Sequence, residues 1–190
     1  MGAVTCIVMK VRDSGMPEEA YWETLFDVPL ILMRLGIGRF HDVAEFGCGY
    51  GTFTVPIARA VSGTVYTFDL DPAMLARTAE RSAGLRVVCE KRDVMEAGFG
   101  LKADAVLLFN ILHCENPVTL LRHAAEALKA GGEVLVIHWR YGETPRGPSL
   151  RIRPKPEQIV EWASEAGLQM AGEIIDLPPW HYGLALRKTG

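Results

Sequence analysis

The sequence predicts an α/β fold, a mostly parallel sheet held between two layers of helices. Three observations predict it. From Val43 onward, short apolar runs alternate with segments of helical periodicity, the pattern of successive strand and helix units. One run, Ala103 to Asn110, is apolar almost throughout, as a strand buried on both faces has to be. At the head of the series, Val43-Ala44-Glu45-Phe46-Gly47-Cys48-Gly49-Tyr50-Gly51 reads as a strand that ends on an acid, followed by a loop with glycine at every second position. A chain of 190 residues is long enough to bury such a sheet between its helices as one domain.

The elements follow in order. Val4 to Val11 is β-branched and apolar, suited to a short extra strand or to an arm broken by Asp13-Ser14-Gly15. From Pro17 to about Leu35, apolar residues recur at helical spacing, with Gly36 after the end and Pro29 dividing the segment into two helices. Tyr21 and Trp22 lie in this segment, and packing on the core is one use for them. Phe53 to Val61 is the helix after the glycine loop, and Thr64 to Asp69 is the second strand. Asp71 and Pro72 are the N-cap and first residue of a helix that reaches Arg81. Leu85 to Cys89 is the third strand and Ala103 to Asn110 the fourth. Pro117 opens a helix running to about Lys129, with Ala130-Gly131-Gly132 as its stop and Glu133 to His138 as the fifth strand. The stretch from His138 to Pro148 is long and irregular, and Trp139, Arg140 and Tyr141 are candidates for a wall that selects an apolar or anionic substrate. A helix from Pro156 to Ala166 and two strands, Leu168 to Leu177 and Tyr182 to Arg187, complete the chain.

The glycine loop is built so that a ligand can touch bare backbone. A dinucleotide fingerprint needs its third glycine five residues after the first, but that position is Thr52 and the glycine falls at 51. Glu45 is a second objection, because a carboxylate repels a pyrophosphate and attracts a cation. The expected guest is therefore nucleoside-like and positively charged. Asp69, at the end of the second strand, is placed to accept hydrogen bonds from both hydroxyls of a ribose. The fourth strand delivers Asn110-Ile111-Leu112-His113-Cys114 to the edge where open parallel sheets bind ligands. Asn110 and His113 are the candidate catalytic residues there, and His113, with an ordinary pKa near ~6.5, is the candidate general base, with a packing role as its alternative.

Taken together, Glu45-Phe46-Gly47-Cys48-Gly49-Tyr50-Gly51 resembles motif I of the class I S-adenosylmethionine-dependent methyltransferases, an acid, any residue, then Gly-x-Gly-x-Gly. The resemblance covers roughly residues 40 to 187, with residues 1 to 38 as an amino-terminal arm and helical lid, in which it implies a place for Tyr21 and Trp22 at the substrate pocket. It implies a Rossmann-like three-layer sandwich whose seven strands run in the order 3-2-1-4-5-7-6, the last antiparallel. It implies S-adenosylmethionine as cofactor, with S-adenosylhomocysteine as product. Glu45 would favour its amino acid end, Asp69 would hold its ribose, Asp93 and Val94 would meet its adenine, Phe46, Gly47, Cys48, Gly49, Gly51 and Leu70 would also touch the cofactor, and Asn110 would border the methyl group. The prolines of the amino-methyltransferase form of motif IV are replaced by Ile111 and Leu112, which argues against a nucleobase or glutamine amide as acceptor.

Composition narrows the rest. The formal net charge is -3 and the basic residues form no long run, so nucleic acid is not expected as a partner and a small-molecule acceptor is favoured. The four cysteines are far apart and suggest neither a zinc site nor a disulfide framework, and no metal is expected. The Val4 to Met9 run is too short to span a bilayer, giving the expectation of a cytoplasmic protein, monomeric or homodimeric. Two other classes stay open: a non-catalytic module that binds S-adenosylmethionine, and a nicotinamide-dependent oxidoreductase.

Overall fold

The computed structural model describes residues 16–189, so the segment read as a strand or arm at Val4 to Val11 lies outside the described residues. The sheet is built from β1 (Val43–Phe46), β2 (Val65–Asp69), β3 (Val87–Lys91), β4 (Ala103–Phe109), β5 (Leu128–Trp139), β6 (Leu168–Met170), β7 (Ile175–Leu177) and β8 (His181–Lys188). In β4, Val106 and Leu108 pack into one core while Ala105 and Leu107 pack into the other, and all four are fully buried. That is why the run is apolar at consecutive positions: successive side chains point to opposite faces, and helices cover both.

The sheet order is β3-β2-β1-β4-β5-β8-β6, with β7 also on β8. Strands β1 to β5 pair in parallel, and β8 runs antiparallel to β5. The strand expected from Leu168 to Leu177 is two short strands on the same partner, registered Met170 with Leu186 and Ile175 with Gly183. Exposed Gly172 and Glu173 interrupt the pairing between them. Counted as one, they restore the expected order.

The helices are α1 (Glu19–Glu23), α2 (Val28–Arg34), α3 (Thr54–Ala60), α4 (Pro72–Arg81), α5 (Val94–Ala97), α6 (Pro117–Ala127) and α7 (Pro156–Glu165). The first expected helix is divided as Pro29 predicts, and Asp27 caps the second part by accepting the Leu30 N–H at 3.1 Å. Asp71 caps α4 by accepting the Ala73 N–H at 2.8 Å. Among the described residues no helix is long and apolar enough to cross a membrane.

The end of α6 differs from expectation. The helix stops at Ala127, Leu128 already pairs with Ala103, and residues 129–132 are a bulge inside β5 rather than a helix stop. Leu128 is buried and holds the strand, Gly131 turns the chain at φ 75, and the Lys129 ammonium bridges Asp42 at 2.8 Å and Asp104 at 3.1 Å. The Lys129 hydrogen bond is the main reason the Asp42 carboxyl is held down to about 2. This cluster lies at the amino edge of the sheet, opposite the glycine loop.

Candidate active site

All three loop glycines adopt left-handed backbone, with φ 87 at Gly47, 51 at Gly49 and 77 at Gly51. Their tasks differ. A Cβ on Gly47 would project into open space, which leaves bare backbone facing the cleft. A Cβ on Gly51 would lie 3.1 Å from Thr78 Oγ1, so Gly51 lets the loop close against α4 and does not itself line the cleft. The Thr78 hydroxyl fastens that contact by donating to the Gly49 carbonyl at 3.0 Å.

Over the loop lies a cleft of about 260 Å³, floored by Glu45, Phe46 and Cys48. Glu45 is only 2% exposed, and its Oε2 accepts from the Thr54 hydroxyl at 2.5 Å and the Thr67 hydroxyl at 2.9 Å. Burial pushes its carboxyl up to about 7, against the two hydroxyl hydrogen bonds and helped by the charge of Asp69. The expectation of a standing negative charge is corrected accordingly: burial favours the protonated acid. Burial also pushes the Cys48 thiol up, and it donates to Asp69 Oδ2 at 3.6 Å.

Asp69 reaches the cleft beside Leu70 with its carboxylate oriented by backbone. Its Oδ2 accepts the Gly49 N–H at 3.2 Å and its Oδ1 the Asp71 N–H at 3.0 Å. A carboxylate has about four acceptor directions, so a ligand can still be met. Asp93 also borders the cleft, and it caps α5 through the Met95 N–H at 3.0 Å. Val94 is fully buried with its side chain in the core, so Asp93 and Met95 form the wall there.

At the far end stand Asn110 and His113. Asn110 has φ 55, the one positive value among the described non-glycine residues, and both its side-chain amide atoms are buried without a partner. Strained backbone and an orphaned amide at one residue mark a place built to meet a ligand. The His113 ring sits edge-on to His138 with centroids 5.5 Å apart, and its Nδ1 is buried without a partner. Burial, and then the charge of Arg153, bring its pKa down to about 4, so the imidazole is neutral at pH 7.

The remaining candidates separate. Trp22 lines the cleft and packs edge-to-face on Phe26 at 4.9 Å, whereas Tyr21 is 43% exposed and off the cleft. Their segment is tied down across the loop: Glu19 pairs with Arg77 and Arg81, Glu23 with Arg81, and the Tyr50 hydroxyl donates to the Pro17 carbonyl. The wall expected from Trp139, Arg140 and Tyr141 does not form at the cleft. Strand β5 runs one residue further than expected, which turns Trp139 into the second core with Leu135 and Ile137 at 2% exposure. Arg140 is engaged by Asp176 and the His181 carbonyl, and Tyr141 faces solvent with Lys155 4.7 Å above its ring.

Sequence reasoning missed Met16, Thr52, Phe53 and Met95 as lining residues. Phe53 and Thr52 follow the last loop glycine, a signal at hand. Met16 gave none, since only the folded chain brings its methyl over Gly49, 3.0 Å from where a Cβ would stand.

Residues 43–132, which hold the glycine loop, Asp69, Asp93 and Asn110, match the family model of a methyltransferase domain. No curated protein matches the sequence. Among solved structures, a SAM-dependent methyltransferase from Aquifex aeolicus superposes with TM-score 0.76 at 21% identity, covering 89% of this chain and 93% of that one. A type 11 methyltransferase from Sulfolobus solfataricus gives TM-score 0.70 at 22% identity over 85% and 92%. The neocarzinostatin-biosynthesis O-methyltransferase, solved with S-adenosylhomocysteine and a dihydroxynaphthoic acid, gives TM-score 0.72 at 20% identity, and the match spans only 52% of its length. Residues 43–132 therefore match a methyltransferase domain, and the chain has the fold of the S-adenosylmethionine-dependent methyltransferases among these structures.

Proposed function

We propose that the protein transfers the methyl group of S-adenosylmethionine to a small-molecule acceptor. The observation that carries this reading is the convergence, in one cleft, of bare glycine backbone, a buried acid and an oriented Asp69 with an orphaned amide at Asn110. These residues suit the cofactor part by part: Glu45 for the ammonium, Asp69 for the ribose, Asp93 for adenine, and Asn110 near the reacting end. When bound, the sulfonium supplies an activated methyl: the acceptor's lone pair bonds to carbon while the carbon–sulfur bond breaks and its electron pair stays on sulfur.

The chain's own part is mostly positioning. Glu45 would hold the ammonium as a carboxylate, its proton released to water, so that a buried neutral acid becomes a buried ion pair. Trp22, Phe53 and Phe109 give the cleft an apolar side, and Phe53 packs edge-to-face on Phe26 at 5.0 Å and on Phe109 at 5.1 Å. His113 is neutral and free to take the acceptor's proton, and an imidazole of such low basicity matches an acceptor that is already acidic. The neighbour that binds a naphthoic acid supports a small organic acceptor, and the net charge of -3 disfavours nucleic acid. A cytoplasmic monomer or homodimer, with residues 40 to 187 as one catalytic unit, completes the reading.

Calorimetric titration with S-adenosylmethionine, S-adenosylhomocysteine and NAD tests it. Micromolar binding of an adenosyl ligand, weakened at least tenfold by Asp69→Ala and absent for NAD, is expected. A well-folded protein that binds neither adenosyl ligand overturns it.

A further inference from the structure

A second cavity opens beside the cleft. It encloses about 420 Å³ between the start of α6 and α7, with Val118 and Thr119 on one side, Gln158 and Trp162 on the other, and Arg151 and Ile152 at its mouth. The two cavities share a wall, the turn His113-Cys114-Glu115-Asn116. A molecule lying in the groove therefore brings one end to His113, whose Nδ1 is buried without a partner. The volume is in the range of small-molecule sites.

The groove has a sign. Arg151 is exposed at its mouth and makes no ion pair among the described residues. Two residues on, Arg153 is 7% exposed, and its guanidinium donates to the carbonyls of Pro148, Arg140 and Gly142 and to the Thr144 hydroxyl, every acceptor neutral. A buried guanidinium without a carboxylate leaves its positive charge uncancelled, and that charge acts on His113, His138 and His181. Against it stand Glu115, exposed on the shared wall, and Glu157 on the outer face of α7. The apolar part of the lining is Val118, Ile152 and the half-buried indole of Trp162, a flat surface for a ring.

We propose that the groove between α6 and α7 is the acceptor pocket and that it takes a flat, apolar organic anion, its charge against Arg151 and its reacting end at His113. This rests on the methyltransferase reading. Arg153 ties the irregular stretch from Arg140 to Pro148 together, and Arg151 and Ile152, beside it in the chain, stand at the mouth.

The test is calorimetry on protein saturated with S-adenosylhomocysteine, titrated with 6-hydroxy-2-naphthoate and with its uncharged isostere 6-hydroxy-2-naphthamide. The acid is expected to bind about tenfold tighter than the amide. Arg151→Glu, at an exposed side chain, abolishes that preference and leaves S-adenosylhomocysteine affinity unchanged, and Gln158→Trp, which fills the groove, weakens both naphthalenes at least tenfold. Equal binding of acid and amide, no effect of Arg151→Glu, or no binding of either compound overturns the proposal while the cofactor reading stands. Failure of S-adenosylhomocysteine itself to bind overturns both.

Discussion

Replacing Glu45 with Gln tests the electrostatics of the cofactor cleft directly. Glu45 is buried, hydrogen-bonded by Thr54 and Thr67, and has its carboxyl raised from an ordinary 4.5 to about 7. The fold thus favours the protonated acid. Its stabilising state is fully present below about 4.5 and is lost as pH rises toward and through about 7, after which the penalty is constant. Converted at ~1.4 kcal/mol per pKa unit, the penalty amounts to about 3 kcal/mol at high pH, of which about 2–3 kcal/mol develops between pH 5 and pH 8. A glutamine keeps the shape and a carbonyl acceptor for both hydroxyls but cannot ionise. In urea unfolding without ligand, Glu45→Gln should gain about 2–3 kcal/mol on the wild type between those two pH values. If Glu45 holds the ammonium of S-adenosylhomocysteine as proposed, binding should show the opposite preference: wild-type affinity rises from pH 6 to pH 8, and that of Glu45→Gln rises less. A stability difference between the two proteins that stays constant from pH 5 to pH 8 would refute the reasoning, since it would mean that Glu45 is ionised throughout.

Other consequences are open to the same tools. Gly51→Ala puts a Cβ 3.1 Å from Thr78 Oγ1 on left-handed backbone, and should cost about 1–3 kcal/mol of stability in urea unfolding. Asp71→Ala removes the α4 cap and should cost about 1 kcal/mol, with S-adenosylhomocysteine affinity unchanged by calorimetry. Trp139→Ala should cost about 3–5 kcal/mol as a core truncation, whereas Tyr141→Ala on the exposed loop should stay within about 0.5 kcal/mol. His113→Gln should lower methyl transfer to a hydroxyl acceptor at least tenfold while leaving S-adenosylhomocysteine affinity within twofold, measured by product formation beside calorimetry.

The sequence alone determined what depends on spacing along the chain. The period of apolar residues marked the central strands, Pro29 divided the first helical segment, Asp71-Pro72 opened α4, and the alternate glycines after Glu45 located the cleft. Each of these is a local rule, in which residues a few positions apart decide the backbone between them. Tertiary structure decided whatever depends on residues distant in the chain. Trp139 became core because β8 pairs with β5 one residue further than the alternation suggested, matching Trp139 to His181. Glu45 became a buried acid because Thr54 and Thr67 close on it from α3 and β2, and a carboxyl type shows nothing of its solvation. No local pattern sets Arg153 apart, and only folding wraps Arg140 to Pro148 around its guanidinium and turns it into a buried charge. The glycine loop is readable because its chemistry lies in the backbone it permits, whereas the acceptor groove is not, because its walls come from two helices and a loop that meet only in three dimensions.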